Sequence, residues 1–418
     1  MTQFKPVREP SFPPPGPLPE PAVTVESGPS AGRLIGVDLA RALAVFGMFA
    51  VHVGPRSPGQ GVPPLGEIGE WPLFLAEGRS SVLFATLAGF SMMLIAGRRE
   101  PKTGLAGRQA RARLLIRAVT LLVLGTAMAS VFGEVVIINF YGVFFLLALP
   151  LVQLPAKTLA IIASVLAVVT PPVAFGLRLL LNESITQSIN AYDPLERISG
   201  VGVLDLFLTG FYPAITWMPF VITGMALGRL DLATDMVRRR LAALGAALVV
   251  LGYGTSWLLF KLFDDLQAAR TGGGTFPADS GSVPLSSSSS SGVKAGEMAW
   301  MLLDAGPHSG TSFDIIGSLG AAITVIVCAT VAMARLLRLR RLASPIIAVG
   351  TMSLSAYVGH FIVMSLLLDG SDQEKSYVPL VGLIAGALLF AAIWSRFFRR
   401  GPLEYLLNLA TKPAQFVR

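Results

Sequence analysis

One apolar stretch carries three side chains able to do acid–base chemistry. In "GVDLARALAVFGMFAVHVGP", residues 36–55, Asp38 and Arg41 stand three positions apart, the spacing at which a carboxylate and a guanidinium meet on one helical face. His52 follows eleven residues after Arg41; at about 100° per residue it returns to nearly the same face, roughly 16 Å further along the axis. A charge deep in a membrane helix costs about 2.5–3.5 kcal/mol on insertion scales, so such groups turn to a protein interior or a wet cavity. Two readings stay open for Asp38 and Arg41: a pair that only fixes the depth of the helix, or part of a substrate route. For His52 the choice is between a water-satisfied interfacial side chain and a base.

The chain has only three histidines, His52, His308 and His360. A group that titrates near neutrality suits the removal of a proton from a sugar hydroxyl or amine. No two of them have the close helical spacing of a zinc site, so no metal is expected; a permanently bound cofactor is not expected either. For His360, an interhelical hydrogen bond is the simpler alternative. In "GFYPAITWMPFVITGMALGRLDL" Pro213 and Pro219 stand six residues apart, with Tyr212 just before the first and Trp217 between them, which predicts a kinked segment lining a cavity. Arg79 beside Glu77 is either a surface ion pair or a holder of an anionic or sugar-like acceptor. Arg108, Arg111, Arg113 and Arg117 are candidates for the phosphates of coenzyme A, although membrane topology also explains them.

The elements that must position these residues are membrane helices. Hydrophobic residues make up 53% of the 418 and charged ones 14%, a balance suited to lipid. Apolar runs long enough to cross about 30 Å of hydrocarbon recur. About ten spans are expected, near 34–54, 79–97, 114–132, 135–154, 158–177, 203–227, 241–261, 313–334, 343–368 and 377–395, giving an all-α polytopic bundle. Basic clusters alternate with mostly acidic or mixed loops: Arg98 to Arg113, Lys157, Arg229 to Arg240 and Arg335 to Arg341 share one side, while Glu67, Glu70, Glu77, Glu134, Glu183, Asp193, Glu196, Asp369, Asp372 and Glu374 share the other. The positive-inside rule then puts both termini in the cytoplasm and accounts for the net charge of +8 without nucleic acid. Residues 1–32 read as a disordered Pro-rich cytoplasmic tail, 33–408 as the membrane domain, and 409–418 as a second cytoplasmic tail. The Ser/Gly-rich stretch 270–295 reads as a flexible outer loop. The lone cysteine, Cys328, excludes a disulfide framework.

The stretch "VDLARALAVFGMFAVH" resembles the first membrane helix of heparan-alpha-glucosaminide N-acetyltransferase-type proteins and, more distantly, of the membrane acyltransferase type 3 family. Their signature is Asp, Arg three later, then His near the outer helix end, and Asp38, Arg41 and His52 match it; the usual glycine after the arginine is Ala42. The segments "SPIIAVGTMSLSAYVGHFIVM" and "WSRFFRRGPLEYLLNLA" are similar to YeiB-like bacterial membrane proteins of unknown function, and "PHSGTSFDIIGSLG" looks like a feature of their actinobacterial members. Together the resemblances cover residues 33–407. They imply an acyltransferase in the cell membrane that takes an acyl group from cytoplasmic acyl-CoA and passes it to an extracytoplasmic glycan or glycolipid. His52 would be the base or a transient acyl carrier, Asp38 and Arg41 would hold each other and the donor, and His308 and His360 would be the further catalytic residues. Arg111, Arg113 and Arg117 would hold the donor, and Arg79, Tyr212 and Trp217 the acceptor. A homo-oligomer stays open. The competing class is a transporter or flippase using Asp38, Arg41 and His360 as a path; no inverted repeat is visible in support of it. A third class is a scaffold without chemistry.

Overall fold

The computed structural model describes residues 34–55, 71–263, 299–367 and 377–418. The tail 1–32, the loop 270–295 and the acidic positions Glu67, Glu70, Asp369, Asp372 and Glu374 lie outside the described residues. Ile35–Arg418 forms one compact unit. Among the described residues the secondary structure is all helical. The helices are α1 (Ile35–Val53), α2 (Trp71–Ala76), α3 (Arg79–Ala96), α4 (Gly104–Phe132), α5 (Ile137–Ala148), α6 (Ala156–Leu180), α7 (Glu183–Tyr192), α8 (Pro194–Ser199) and α9 (Ala214–Arg229). There follow α10 (Asp235–Val249), α11 (Thr255–Leu262), α12 (Ser312–Arg335), α13 (Leu337–Leu342), α14 (Ser344–Thr351), α15 (Ser353–Leu367), α16 (Tyr377–Phe397) and α17 (Pro402–Ala410).

Each of the ten expected segments falls on helix, but fewer qualify as spans on length and hydropathy. Among the described residues seven helical segments do so, α2 running on into α3 and α10 into α11, and an eighth does if the bent pair α14 and α15 counts as one span. Of the remaining two segments, 135–154 is a short apolar helix, Ile137–Gln153. In the other, 203–227, a π-helical turn at Asp205–Thr209 stops short of α9, which begins only after Pro213. The kink expected there sits at that break, and Pro219 lies inside the continuous α9.

Small residues let the central helices touch through their backbones, which is how helices associate without a hydrophobic driving force between them. A Cβ on Gly89 of α3 would lie 1.9 Å from the Val221 carbonyl oxygen of α9, and one on Gly224 of α9 would lie 1.8 Å from that of Thr86. The crossing is therefore reciprocal and closed to any larger residue. The apolar window of α2 and α3 is 72% buried and that of α16 only 11%, so α3 is central and α16 peripheral. α14 rests on α1 in the same manner: a Cβ on Gly350 would lie 1.8 Å from the Asp38 carbonyl oxygen, beside a core of Ala42, Val349, Met352 and Ala391. At Met352 the chain then turns by 88° into α15. That turn sends α15 to the His52 end of α1.

Candidate functional site

His52, one residue before the end of α1, meets His360 of α15. Nδ1 of His52 lies 2.8 Å from Nε2 of His360, with the rings stacked at a 5.1 Å centroid separation and 16° between planes. Nδ1 of His360 bonds the carbonyl of Tyr357, one turn back on its own helix. A carbonyl only accepts, so the His360 Nδ1 carries the proton and its Nε2, in the neutral ring, accepts. His52 must then donate through Nδ1–H, which leaves the lone pair of His52 on Nε2. Among the described residues that Nε2 has no hydrogen-bond partner. Phe49, Tyr357 and Phe361 pack around the His360 ring at centroid distances of 5.0, 5.1 and 4.2 Å and fix its orientation.

His308 approaches from the segment before α12. Its φ of +60° is a left-handed conformation that costs a non-glycine residue free energy, of the kind retained where the surroundings hold it in place. The ring stacks on Trp217 at 6.0 Å and 20°, and meets Tyr212 at 5.6 Å and Phe211 at 4.5 Å. Its Nδ1 is buried without a hydrogen-bond partner among the described residues, an exception that calls for a ligand or a water. Burial, and secondarily the charge of His52, push its pKa down to about 4. The imidazole is thus neutral at pH 7, and the third histidine lies within electrostatic reach of the first. Tyr212 and Trp217 are buried and form the cradle of His308. Arg79 supports the same segment from the other side. Its Nε donates to the Tyr253 hydroxyl at 3.1 Å and its Nη1 to the Phe74 carbonyl at 2.7 Å. The Tyr253 hydroxyl meets Ser318 at 2.7 Å, and Ser318 donates to Asp314 at 2.9 Å. Thr311, three residues after His308, caps α12 by accepting from the Asp314 N–H at 3.1 Å.

At the other end of α1, Arg41 donates to Asp38 and to Ser91, each at 2.8 Å. Arg117 of α4 lies within electrostatic reach of Arg41, Arg400 and Glu404, whereas Arg111 and Arg113 are exposed. An apolar cleft of about 780 Å³ runs between α15 and α16 from Ser355, Pro402 and Leu403, at this end, to Phe49 and His360. It is bordered by Gly359, Gly382 and Gly386, where an added Cβ would meet nothing within 4 Å. Among the described residues no three His, Cys, Asp or Glu side chains gather as a metal site.

Several residues in and around these arrangements escape a reading of the sequence. Tyr357 carries a detectable signal, three residues before a membrane histidine, and Arg400 another, in the run "RRGPLE". Ser91 and Tyr141, whose buried hydroxyl lacks a partner among the described residues, carry none.

Two family profiles match the chain. The profile described as "Heparan-alpha-glucosaminide N-acetyltransferase, catalytic" matches residues 33–260, and "Protein of unknown function (DUF418)" matches residues 290–413. None of the curated proteins matches it. His52 falls in the first matched region and His308 and His360 in the second, so the site is assembled from both. With more than half of its length under the first profile and its apolar helices in place, this multi-pass membrane protein belongs to the heparan-alpha-glucosaminide N-acetyltransferase catalytic family.

Proposed function

We propose that the chain is an integral membrane acyltransferase, which moves an acyl group, by family an acetyl group, from cytoplasmic acyl-CoA to a glycan or glycolipid on the other side. The observation that supports this best is the oriented histidine pair: His360 takes the Nδ1–H of His52 and leaves the opposite nitrogen free to accept a proton. In this reading His52 Nε2 removes the proton from the acceptor hydroxyl or amine as that oxygen or nitrogen attacks the thioester carbonyl. The tetrahedral intermediate collapses, the C–S bond breaks, and the proton held by His52 passes to the departing thiolate. His360 Nε2 steadies the imidazolium in between. His308 Nδ1 offers a hydrogen bond to the acceptor, with Tyr212 and Trp217 holding its ring. Arg79 acts by bracing this segment.

The donor would enter at the end marked by Arg41, Arg117 and Arg400, with Arg111 and Arg113 beside it. That end is cytoplasmic in this reading, as are both termini, because the basic clusters collect there. The cleft between α15 and α16 supports a donor path from these cations to His360. The test is transfer of label from radiolabelled acetyl-CoA to a glycan acceptor by the protein in lipid nanodiscs. Replacing His52 by Ala is expected to lower the rate by about 10²–10⁴-fold without loss of folded protein. Undiminished transfer by that variant overturns the role of His52. Absence of transfer by the wild type, together with solute uptake in vesicles, would favour a transporter.

A further inference from the structure

In the tail segment "WSRFFRRGPLEYLLNLA" Arg400 marks the proposed donor entrance, but Glu404 has no part in the chemistry above, and its contacts converge on the broken span that carries His360. The 88° turn between α14 and α15 leaves the first N–H groups of α15 without helical acceptors, as at any helix start. Glu404 of α17 supplies them. Its Oε1 accepts from the Leu354 N–H at 2.7 Å and the Ser355 N–H at 3.1 Å, and its Oε2 accepts from the Ser355 hydroxyl. The Ser355 hydroxyl in turn accepts from the Leu403 N–H at 3.0 Å. This is an N-terminal cap delivered from a distant helix, with a negative charge at the positive end of the helix dipole.

The neighbouring residues of the motif make this delivery possible. A Cβ on Gly401 would lie 2.2 Å from the Glu404 carboxylate and 2.8 Å from Met352, so only glycine lets the carboxylate reach the break. Trp394 closes the preceding turn by donating to the Arg400 carbonyl at 2.8 Å. Ser355 and His360 lie five residues apart on α15, about 7.5 Å along its axis. An anchor at Ser355 therefore sets the depth and rotation at which His360 faces His52.

We infer that Glu404 is a positioning residue for the histidine pair: by capping α15 at the break, it holds His360 in hydrogen-bonding register with His52. The inference rests on the reading of that pair as the reacting site, but its test does not depend on activity. With three histidines in the chain, selective 15N-histidine labelling gives a spectrum simple enough to assign. Solid-state NMR of the full chain in lipid bilayers reads each ring's tautomer and any N–H···N coupling between rings. The wild type is expected to show coupling from His52 Nδ1 to His360 Nε2.

Glu404→Ala is expected to abolish that coupling while the His308 signals, from a ring outside α15, stay in place. Glu404→Gln keeps an oxygen for the two amides and is expected to restore it. In transfer assays the alanine variant is expected to lose kcat by about 10- to 100-fold, with KM for acyl-CoA little changed and the glutamine variant near wild type. Should Glu404→Ala fold poorly, Ser355→Ala removes only the hydroxyl bridge and is expected to weaken the coupling in part. The inference is overturned by coupling that survives Glu404→Ala, by equal loss in the glutamine variant, by a shift of the His308 signals with the others, or by no coupling in the wild type. A wild type that shows the coupling but transfers no acyl group refutes the acyltransferase reading and leaves the positioning role standing.

Discussion

The two ends of α1 carry polar groups on one face and treat them in opposite ways. Arg41 is answered by Asp38 and Ser91, and Ser91 is itself bonded to the Leu87 carbonyl. At the other end the pairing of His52 with His360 uses one nitrogen of each ring against the other, and among the described residues the second nitrogen of His52 has no partner. His308 nearby adds a buried nitrogen that likewise has none among them. Buried polar groups are normally satisfied. A closed set contributes to the fold, while an open one keeps hydrogen-bonding capacity that its surroundings hold in a fixed orientation.

The largest expected effect tests the closed end. Asp38→Ala takes the carboxylate away from the Arg41 guanidinium, which keeps its bond to Ser91, and is expected to cost up to about 3 kcal/mol, read as a fall in Tm in nanodiscs. Adding Arg41→Met removes the unmatched charge and is expected to recover most of that loss. If the double variant is no more stable than the single, the pair is not the closed structural unit described here.

A smaller effect sharpens the difference by filling the route between the ends. Gly386→Leu projects into space where a Cβ meets no neighbour, so the fold is expected to tolerate it. Transfer efficiency from acyl-CoA is expected to fall roughly tenfold. Unchanged kcat/KM would remove the cleft from the donor path.

A last effect, read only as a change of slope with pH, concerns the open end. The His308 pKa of about 4 lies below the ordinary value near 6.5. As pH falls below about 6.5 the unfolded chain takes up a proton that the folded chain refuses. The stabilisation present above that pH is therefore lost as pH falls towards 4. Asparagine tolerates a positive φ and does not titrate, so His308→Asn is expected to flatten the fall of Tm between pH 6.5 and 4. An equally steep fall in the variant would assign the pH dependence to other groups.

What the sequence discloses follows the range of each signal. The three-residue spacing of Asp38 and Arg41 is local and becomes a 2.8 Å ion pair. Rarity singled out the three histidines, but their meeting could not be read, because His52 and His360 are 308 positions apart and meet only after an 88° turn. Apolar run length placed the ten expected segments on helix, of which seven or eight qualify as spans among the described residues. It did not reveal that 203–227 is interrupted before Pro213, since the residues around the break are as apolar as a span requires. Arg79 stands beside Glu77 in the sequence, within electrostatic reach of it, and also donates to Tyr253 across the bundle, a pairing without local trace.

The crossing of α3 and α9 at Gly89 and Gly224 has a mechanical consequence. Helices joined backbone to backbone cannot slide past one another without losing that fit, so the centre of the bundle behaves as a fixed post. Any breathing that admits a substrate falls to the rim, where α16 stands mostly clear of its neighbours and borders the cleft. Amide exchange, slow along α3 and α9 and faster along α16, is the readout of that asymmetry.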